Sequence, residues 1–481
     1  MSTPESGNSA RAIAPAGIWL LVAALAVCSA AVARAAADFP DTEAGTRAEA
    51  YLDAFNTGSE DMVTAFLEAN LTAGSLEARP MKDRIAVYGR LKDDLGTLEP
   101  MKVMAAGGDA IRVIAKASTG KWVELGFTFE PQGPNKIAAL AFQLLPEAPD
   151  LDQPTTALSQ AEMLAELGAY LRDAVSQDQF SGAVLVARQD TPIFREAYGL
   201  ASIEYGVPNR VDTRFNLGSI NKFLTSIAIE QLAGKGLLSP DDTVGRYLPA
   251  YPNKDAAQKV TIRHLLDMQS GIGDFFGELY AATPKDQIRD LADYLDLFAD
   301  APLLFEPGTD TRYSNGGFVV LGLIIESVSG QTYFDYVRDN IYEVAGMAYS
   351  GHLEADVPAG DVASGYTLTG ADGLGDSGPA NARRNNIYTR PARGSSAGGG
   401  YSTVDDLLRL VSALRAGKLA APEAEAKVRG SAALAGGAPG INAHLAVTPG
   451  GYVVVVLSNY DPPAAQTVGR RIGELLARVR E

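Results

Sequence analysis

Cysteine and histidine are both scarce in this sequence of 481 residues. The single cysteine, Cys28, excludes a disulfide within the chain and leaves one candidate for thiol chemistry. The three histidines, His264, His352 and His444, stand far apart, and no two of them have the spacing of metal ligands. We therefore expect neither a metal nor another cofactor.

Runs of positive charge are absent as well. The chain carries 41 Lys and Arg residues against 58 Asp and Glu residues, for a formal net charge of −17. This balance argues against nucleic acid or an anionic lipid surface as the main partner. A hydrophobic fraction of 46% and a charged fraction of 21% are typical of a globular protein, and the length allows two or three domains.

The N-terminus contains one long apolar stretch, residues 18–32. Small residues that match a cleavage pattern follow it, among them Ala35-Ala36-Ala37. The pattern predicts a signal peptide over residues 1–37 and a periplasmic or secreted protein. The alternative is an uncleaved membrane anchor through residues 18–32, and cleavage would remove Cys28 with the segment.

Two domains are predicted after this segment. Residues 38–145 show helical spacing first and strand alternation afterwards, which predicts a small α+β domain with helices on an antiparallel sheet. This order of elements resembles the cystatin-like fold of the nuclear transport factor and polyketide-cyclase-like superfamily, and we expect an accessory or ligand-holding module. Prolines stiffen a linker over 146–157, and the domain over 158–481 begins with a capping box, Ser159 to Glu162.

Strand patterns occur at both ends of this larger domain, with helical patterns between them. One hairpin is predicted around Gln189-Asp190-Thr191 and another around Pro449-Gly450-Gly451, followed by a helix over 463–479. This arrangement predicts an α/β fold, in which one antiparallel sheet is assembled from the two ends, flanked by helices, with a helical region inserted.

Ser219 and Lys222 open an apolar helical run. Residues three apart on a helix share a face, so the serine hydroxyl lies beside an amine that can accept its proton. Gly218 allows close approach of the backbone. The alternative is a serine N-cap with a solvated lysine. The same spacing at Ser118 and Lys121 lies between two strand-like runs and predicts only a hairpin turn.

Tyr313 and Asn315 form a second motif, followed by Gly316-Gly317 and an apolar helical run. A tyrosine hydroxyl near an amine can pass a proton to and from a serine, and an asparagine amide can orient substrate and lysine. A similar triplet, Tyr251-Pro252-Asn253, lacks the glycines and the apolar run.

With these motifs, residues 158–478 resemble the serine beta-lactamase and penicillin-binding-protein superfamily, in its class C-like and serine esterase branch. Three further sequence segments match this superfamily: Thr261-Ile262-Arg263-His264-Leu265-Leu266, Gly398-Gly399-Gly400-Tyr401-Ser402-Thr403 and Gly436-Gly437-Ala438-Pro439-Gly440.

The resemblance implies acylation of Ser219 by an ester or amide carbonyl, followed by hydrolysis of the acyl-enzyme. It implies that Lys222 and Tyr313 are the proton-transfer pair and that Asn315 positions substrate and lysine. It also implies an oxyanion hole formed by the backbone amides of Ser219 and Gly437. The partner would be a small ester or amide, including one derived from the cell wall.

The third motif of the family departs from its usual form. Leu434-Ala435-Gly436 stands where a lysine or histidine, a small residue and a glycine are usual. Leucine neither polarises the tyrosine nor binds a carboxylate, so we expect short neutral esters to be preferred over penicillins or D-Ala-D-Ala peptides. We find no clear strand over 417–434, a loss that would leave an unpaired sheet edge. Arg383 and Arg384 are expected in a solvated loop.

Two alternatives to the ester or amide hydrolase stay open. One is a catalytically weakened or inactive binding module that keeps the pocket. The other is a peptidoglycan enzyme of the D-Ala-D-Ala carboxypeptidase type, which needs a cation for the terminal carboxylate of its substrate.

Overall fold

The computed structural model describes residues 39–78, 81–105, 110–130, 135–145, 157–368, 382–430, 433–448 and 450–479, together with residues 37, 148, 149 and 151. The segment predicted as a signal peptide or anchor, including Cys28, lies outside these residues apart from residue 37, and so does most of the predicted linker over 146–157.

Four helices precede a four-stranded antiparallel sheet in the first part of the chain, which is the predicted order. Strand β1 was not predicted, because Pro100 and a register shift before Lys102 interrupt its alternation. Ser118 and Lys121 lie at the turn between β2 and β3, as predicted. The elements are α1 (Glu43–Thr57), α2 (Glu60–Asn70), α3 (Ala73–Ala78), α4 (Met81–Leu95), β1 (Leu98–Ala105), β2 (Ala110–Ala117), β3 (Trp122–Phe129) and β4 (Ile137–Leu145), with the strands in the order β1-β2-β3-β4.

The second part of the chain alternates short strands with many helices. In chain order its elements are α5 (Gln160–Ser176), β5 (Gly182–Arg188), β6 (Thr191–Tyr198), β7 (Leu200–Ser202), β8 (Val207–Pro208), β9 (Phe215–Asn216), α6 (Asn221–Gly234), α7 (Val244–Tyr247), α8 (Lys254–Lys259), α9 (Ile262–Leu266), α10 (Glu278–Ala282), α11 (Leu291–Leu295), α12 (Asn315–Ser329), α13 (Tyr333–Val337), α14 (Glu343–Ala345), β10 (Tyr366–Leu368), β11 (Arg383–Asn385), β12 (Tyr401–Ser402), α15 (Val404–Arg415), α16 (Pro422–Gly430), β13 (Leu434–Ala438), β14 (Ile441–Val447), β15 (Tyr452–Ser458) and α17 (Ala464–Leu476).

A five-stranded antiparallel sheet in the order β13-β14-β15-β5-β6 organises this part. It joins strands from both ends of the domain, as the sequence predicted. Side chains alternate along β5: Leu185 packs into the core of the helical region, whereas Val184 and Val186 pack into a second core with α5 and α17. The capping box of Ser159 and Glu162 at the start of α5 is present. The result is an α/β layered fold, with helices on both faces of the sheet.

The third motif lies on β13, at the edge of this sheet. The stretch before it contains helix α16 and, among its described residues, no strand. Edge strands direct alternate N–H groups away from their one neighbour. On β13 the free edge adjoins the turn that carries Ser219.

No single described helix is long and apolar enough to cross a membrane, but Asn315–Ser329 and Tyr333–Ala345, bent by 81°, meet that test as a pair.

Candidate active site

Ser219 lies in a 3₁₀ turn, Gly218–Ile220, that continues directly into α6. Gly218 has φ +49°, and a Cβ there would lie 2.8 Å from the backbone nitrogen of Gly437. A side chain at this position would therefore separate the serine turn from β13. Ile220 and Phe223 anchor the turn in the helical core, which fixes the backbone of the serine.

Lys222 lies one turn after Ser219, with its amine directed at the hydroxyl. Nζ is 3.2 Å from Ser219 Oγ, and it donates to Asn315 Oδ1 at 2.6 Å and to the carbonyl oxygen of Ala397 at 2.6 Å. The residue is buried. Burial lowers the pKa of Lys222 to about 7, and the charge of Asp274 opposes this effect. The amine is therefore partly neutral near neutral pH and can accept a proton.

Tyr313 approaches the same hydroxyl from the loop before α12. Its Oη donates to Ser219 Oγ at 2.7 Å, and Lys222 Nζ lies 4.8 Å from the centre of its ring. The side chain is 54% exposed, so it also borders open solvent. Partial burial raises the pKa of Tyr313, and the contact with Ser219 lowers it in part. The hydroxyl therefore stays protonated near neutral pH.

Asn315 begins α12 and connects the lysine to an aspartate that the sequence analysis missed. Asn315 Nδ2 donates to Asp274 Oδ2 at 2.6 Å, while Asn315 Oδ1 accepts from Lys222. Ser314 caps α12 by accepting from Gly317 N at 2.8 Å, which fixes the residues on either side of it. The pattern Gly271-Ile272-Gly273-Asp274 is a signal for this loop, because a lone acidic residue follows two glycines and precedes an aromatic pair.

Strand β13 closes the site beside the serine. A Cβ on Gly436 would lie 1.9 Å from the carbonyl oxygen of Leu217 and 3.0 Å from the nitrogen of Ser219, so only glycine fits there. Gly437 follows at the cavity wall. Leu434 of the third motif packs against the helical core and is not among the described residues that line the cavity. Ala435, between Leu434 and Gly436, is exposed.

A cavity of about 250 Å³ lies above Ser219. Its walls are mostly apolar and aromatic, and Phe275, Tyr280 and Tyr294 are buried in them, whereas Phe276 is 58% exposed at the rim. Such a cavity suits a small organic molecule with an apolar portion.

The histidines lie outside this group. His264 accepts from Thr261 N at 3.3 Å in a capping box of α9, so it has a capping role. His352 is buried, and burial lowers its pKa to about 3. His444 is buried in β14, and burial lowers its pKa to about 4. In the part of the chain that the structure describes, no three His, Cys, Asp or Glu side chains are grouped to hold a metal ion.

Arg383 and Arg384, which were expected in a solvated loop, lie on strand β11 instead. Arg383 forms an ion pair with Asp178 at 2.8 Å and stacks on Tyr460, so it has a structural role. The arginine that does line the cavity is Arg390, which the sequence analysis did not select.

Comparisons with known proteins place the chain among known relatives. The family model described as Beta-lactamase matches residues 167–454. Esterase EstB of Burkholderia gladioli is 32% identical over 349 residues, covering 66% of this chain and 86% of that protein. Penicillin-binding protein 4* of Bacillus subtilis (strain 168) is 36% identical over 171 residues, but the match covers only 37% of that protein. The crystal structure of a penicillin-binding protein from Bacillus halodurans is similar with a TM-score of 0.56 and 32% identity, covering 64% of this chain and 99% of that one.

Proposed function

The chain belongs to the beta-lactamase family and is a hydrolase of the serine beta-lactamase superfamily, and from this premise we propose that it forms an acyl-enzyme at Ser219 with a small ester or amide. The observation that carries the proposal is the contact of two proton-transfer groups with one hydroxyl. Lys222 Nζ and Tyr313 Oη lie 3.2 and 2.7 Å from Ser219 Oγ.

Lys222 is the proposed base in the acylation step. Because its pKa is about 7, its neutral form is populated near neutral pH, whereas the phenolate of Tyr313 is not. Ser219 Oγ attacks the carbonyl carbon as its proton moves to Nζ. Tyr313 then gives its proton to the leaving oxygen or nitrogen and regains one from Lys222.

The backbone nitrogens of Ser219 and Gly437 are the proposed oxyanion donors. A Cβ on Gly436 would lie 3.0 Å from Ser219 N, and a Cβ on Gly218 would lie 2.8 Å from Gly437 N, so both amides border the same narrow gap. Donors fixed by a strand and a helix need no rearrangement when charge develops on the substrate oxygen. Hydrolysis by water through the same base returns the free serine.

An ester is the favoured substrate for two reasons. The relative with the greater coverage is named an esterase. An alkoxide or phenolate also leaves more readily than an amine, so cleavage of an ester requires less stabilisation of the leaving group. An ester therefore suits a site whose third motif has no cation. A carboxypeptidase of the D-Ala-D-Ala type is the second candidate, and the cation in the cavity wall, Arg390, favours it.

Labelling with a serine-directed fluorophosphonate tests the proposal. We expect wild type to be labelled and Ser219→Ala to be unlabelled, while Ser118→Ala, at the other Ser-x-x-Lys spacing, labels like wild type. Lys222→Ala should also abolish labelling and Lys121→Ala should not. The double variant should be no worse than either single variant, because both groups act as one unit. Equal labelling of wild type and Ser219→Ala would reject the assignment, and wild type that is not labelled would favour a binding module.

A further inference from the structure

Arg390 gives the cavity a positive charge that the third motif does not supply. Among the described residues that line the cavity, it is the only one with a formal charge. The protein as a whole has a net charge of −17, so the charge in the cavity is opposite in sign to that of the whole protein. The side chain of Arg390 is half-buried, contacts Tyr401 and lines the same cavity as Ser219.

The guanidinium of Arg390 has few hydrogen-bond partners in the described part of the protein. Its Nη1 donates to Tyr401 Oη at 3.2 Å, and no carboxylate of the described chain is within ion-pair distance of it. Nearby arginines differ: Arg289 pairs with Asp356 at 2.6 Å, and Arg393 lies 3.8 Å from Glu354. A guanidinium has five N–H donors in a planar fork, which matches a carboxylate.

The loop that carries Arg390 is held on both sides, so the side chain projects from a fixed backbone. Tyr280 Oη donates to the carbonyl oxygen of Thr389 at 3.1 Å, and Ala392 N donates to that of Lys285 at 2.8 Å. Tyr294 Oη donates to the carbonyl oxygen of Arg393 at 2.6 Å. A cation on a fixed loop binds an anion with little further ordering cost.

We propose that Arg390 is a specificity-determining residue that binds a carboxylate carried by the substrate. The inference rests on the proposed function and names its substrate class: an ester with an apolar portion and a carboxylate separated from the scissile carbonyl. It replaces the sequence expectation of purely neutral esters, because the cation is on the 389–394 loop rather than on β13. Lysine is a poorer substitute, since it has no planar fork.

The test compares matched esters. Mono-para-nitrophenyl esters of dicarboxylic acids, from glutarate to suberate, are each paired with the neutral para-nitrophenyl ester of equal carbon number, and the ratio of kcat/KM values is measured. The series covers different distances between carboxylate and carbonyl. For the best-matched length, we expect Arg390→Ala and Arg390→Gln to lower the charged-to-neutral ratio about tenfold, which corresponds to about 1.4 kcal/mol, chiefly through KM.

Three further measurements separate binding of the carboxylate from effects of substitution in general. Arg246 is an exposed arginine on α7 that pairs with Asp242 and does not line the cavity. The Arg246→Ala variant should keep the wild-type ratio. Arg390→Lys should give an intermediate ratio. Added salt should lower the ratio for wild type more than for Arg390→Ala, because a charge interaction is screened.

The outcomes distinguish this inference from the proposed function. Hydrolysis of both ester classes with a ratio that is the same in wild type, Arg390→Ala and Arg390→Gln at every chain length overturns the inference alone. If wild type hydrolyses no ester and is not labelled by the fluorophosphonate, the proposed function fails, and the inference falls with it.

Discussion

Asp274 and Asn315 are joined by a hydrogen bond of 2.6 Å from Asn315 Nδ2 to Asp274 Oδ2. The other end of the same amide accepts from Lys222 Nζ, so the asparagine is oriented by a carboxylate on one side and an amine on the other. The aspartate does not contact Ser219 directly in any hydrogen bond of the described chain. It acts on the site through the position of Asn315 and through its charge.

The first prediction concerns the pH dependence of acylation. Lys222 must be neutral to accept the proton, and burial lowers its pKa from 10.5 to about 7. The kcat/KM for para-nitrophenyl hexanoate should therefore rise with pH through a midpoint near 7, after subtraction of the uncatalysed rate. Lys121→Ala should keep this midpoint. A rise centred near the ordinary lysine pKa would contradict the lowered pKa of Lys222.

The second prediction concerns Asp274→Asn. The negative charge of Asp274 raises the pKa of Lys222 and of Tyr313, so its removal lowers both. The midpoint of the same pH profile should move to lower pH than in wild type. Asp53→Asn, which neutralises an exposed aspartate on α1 in the first part of the chain, should leave the profile in place. An upward movement of the midpoint in Asp274→Asn would contradict this account.

The third prediction concerns the contact between β13 and the serine turn. Gly436→Ala places a Cβ 1.9 Å from Leu217 O, so the strand must shift, with a stability loss of about 1–3 kcal/mol and at least about tenfold lower turnover. Gly473→Ala makes the same chemical change within α17, where no atom other than those of the neighbouring residues and the helix backbone lies within 4 Å of the new Cβ. That variant should be as stable as wild type or up to about 1 kcal/mol more stable.

Thermal unfolding and ester turnover measured on both glycine variants check this prediction. Full activity and an unchanged Tm in Gly436→Ala would mean that β13 can move without consequence and that Gly437 is not an oxyanion donor.

The fourth prediction concerns the third motif. Leu434 packs against the helical core, so Leu434→His should lower stability by about 1–3 kcal/mol without raising ester turnover. Ala435→His introduces the same side chain at the neighbouring exposed position and should change stability by less than about 0.5 kcal/mol. A higher turnover of Leu434→His with an unchanged Tm would show that a missing cation at this position limits the enzyme.

Local patterns in the sequence were sufficient to predict the strands at the two ends of the domain and two separate pairs of candidate side chains. Ser219 and Lys222 share a helix face, and Tyr313 and Asn315 flank the start of α12, so each pair is set by short-range geometry. The approach of the two pairs to each other follows only from the resemblance to a known family, because contact between the pairs depends on how α6 and α12 pack.

Asp274, Arg390 and the packing of Leu434 were beyond such reasoning. Asp274 and Arg390 lie on loops whose paths are set by distant contacts, such as that of Tyr280 with Thr389. A leucine at a motif position has the same local pattern whether it faces a cavity or a core. Strand β1 was missed for a local reason, the proline and bulge near its start.

The sheet built from both ends of the domain has a consequence for when activity can appear. Ser219, the proposed nucleophile, lies on a turn early in the domain, whereas Gly437 lies on a strand that pairs, among the described residues, only with β14, near the C-terminus. Contacts so distant in sequence require the costly closure of a long loop. A partly synthesised or C-terminally truncated chain that lacks β13 thus has the serine and the lysine but only one of the two proposed oxyanion donors. We expect such a chain to be inert toward esters, so hydrolysis is tied to completion of the polypeptide.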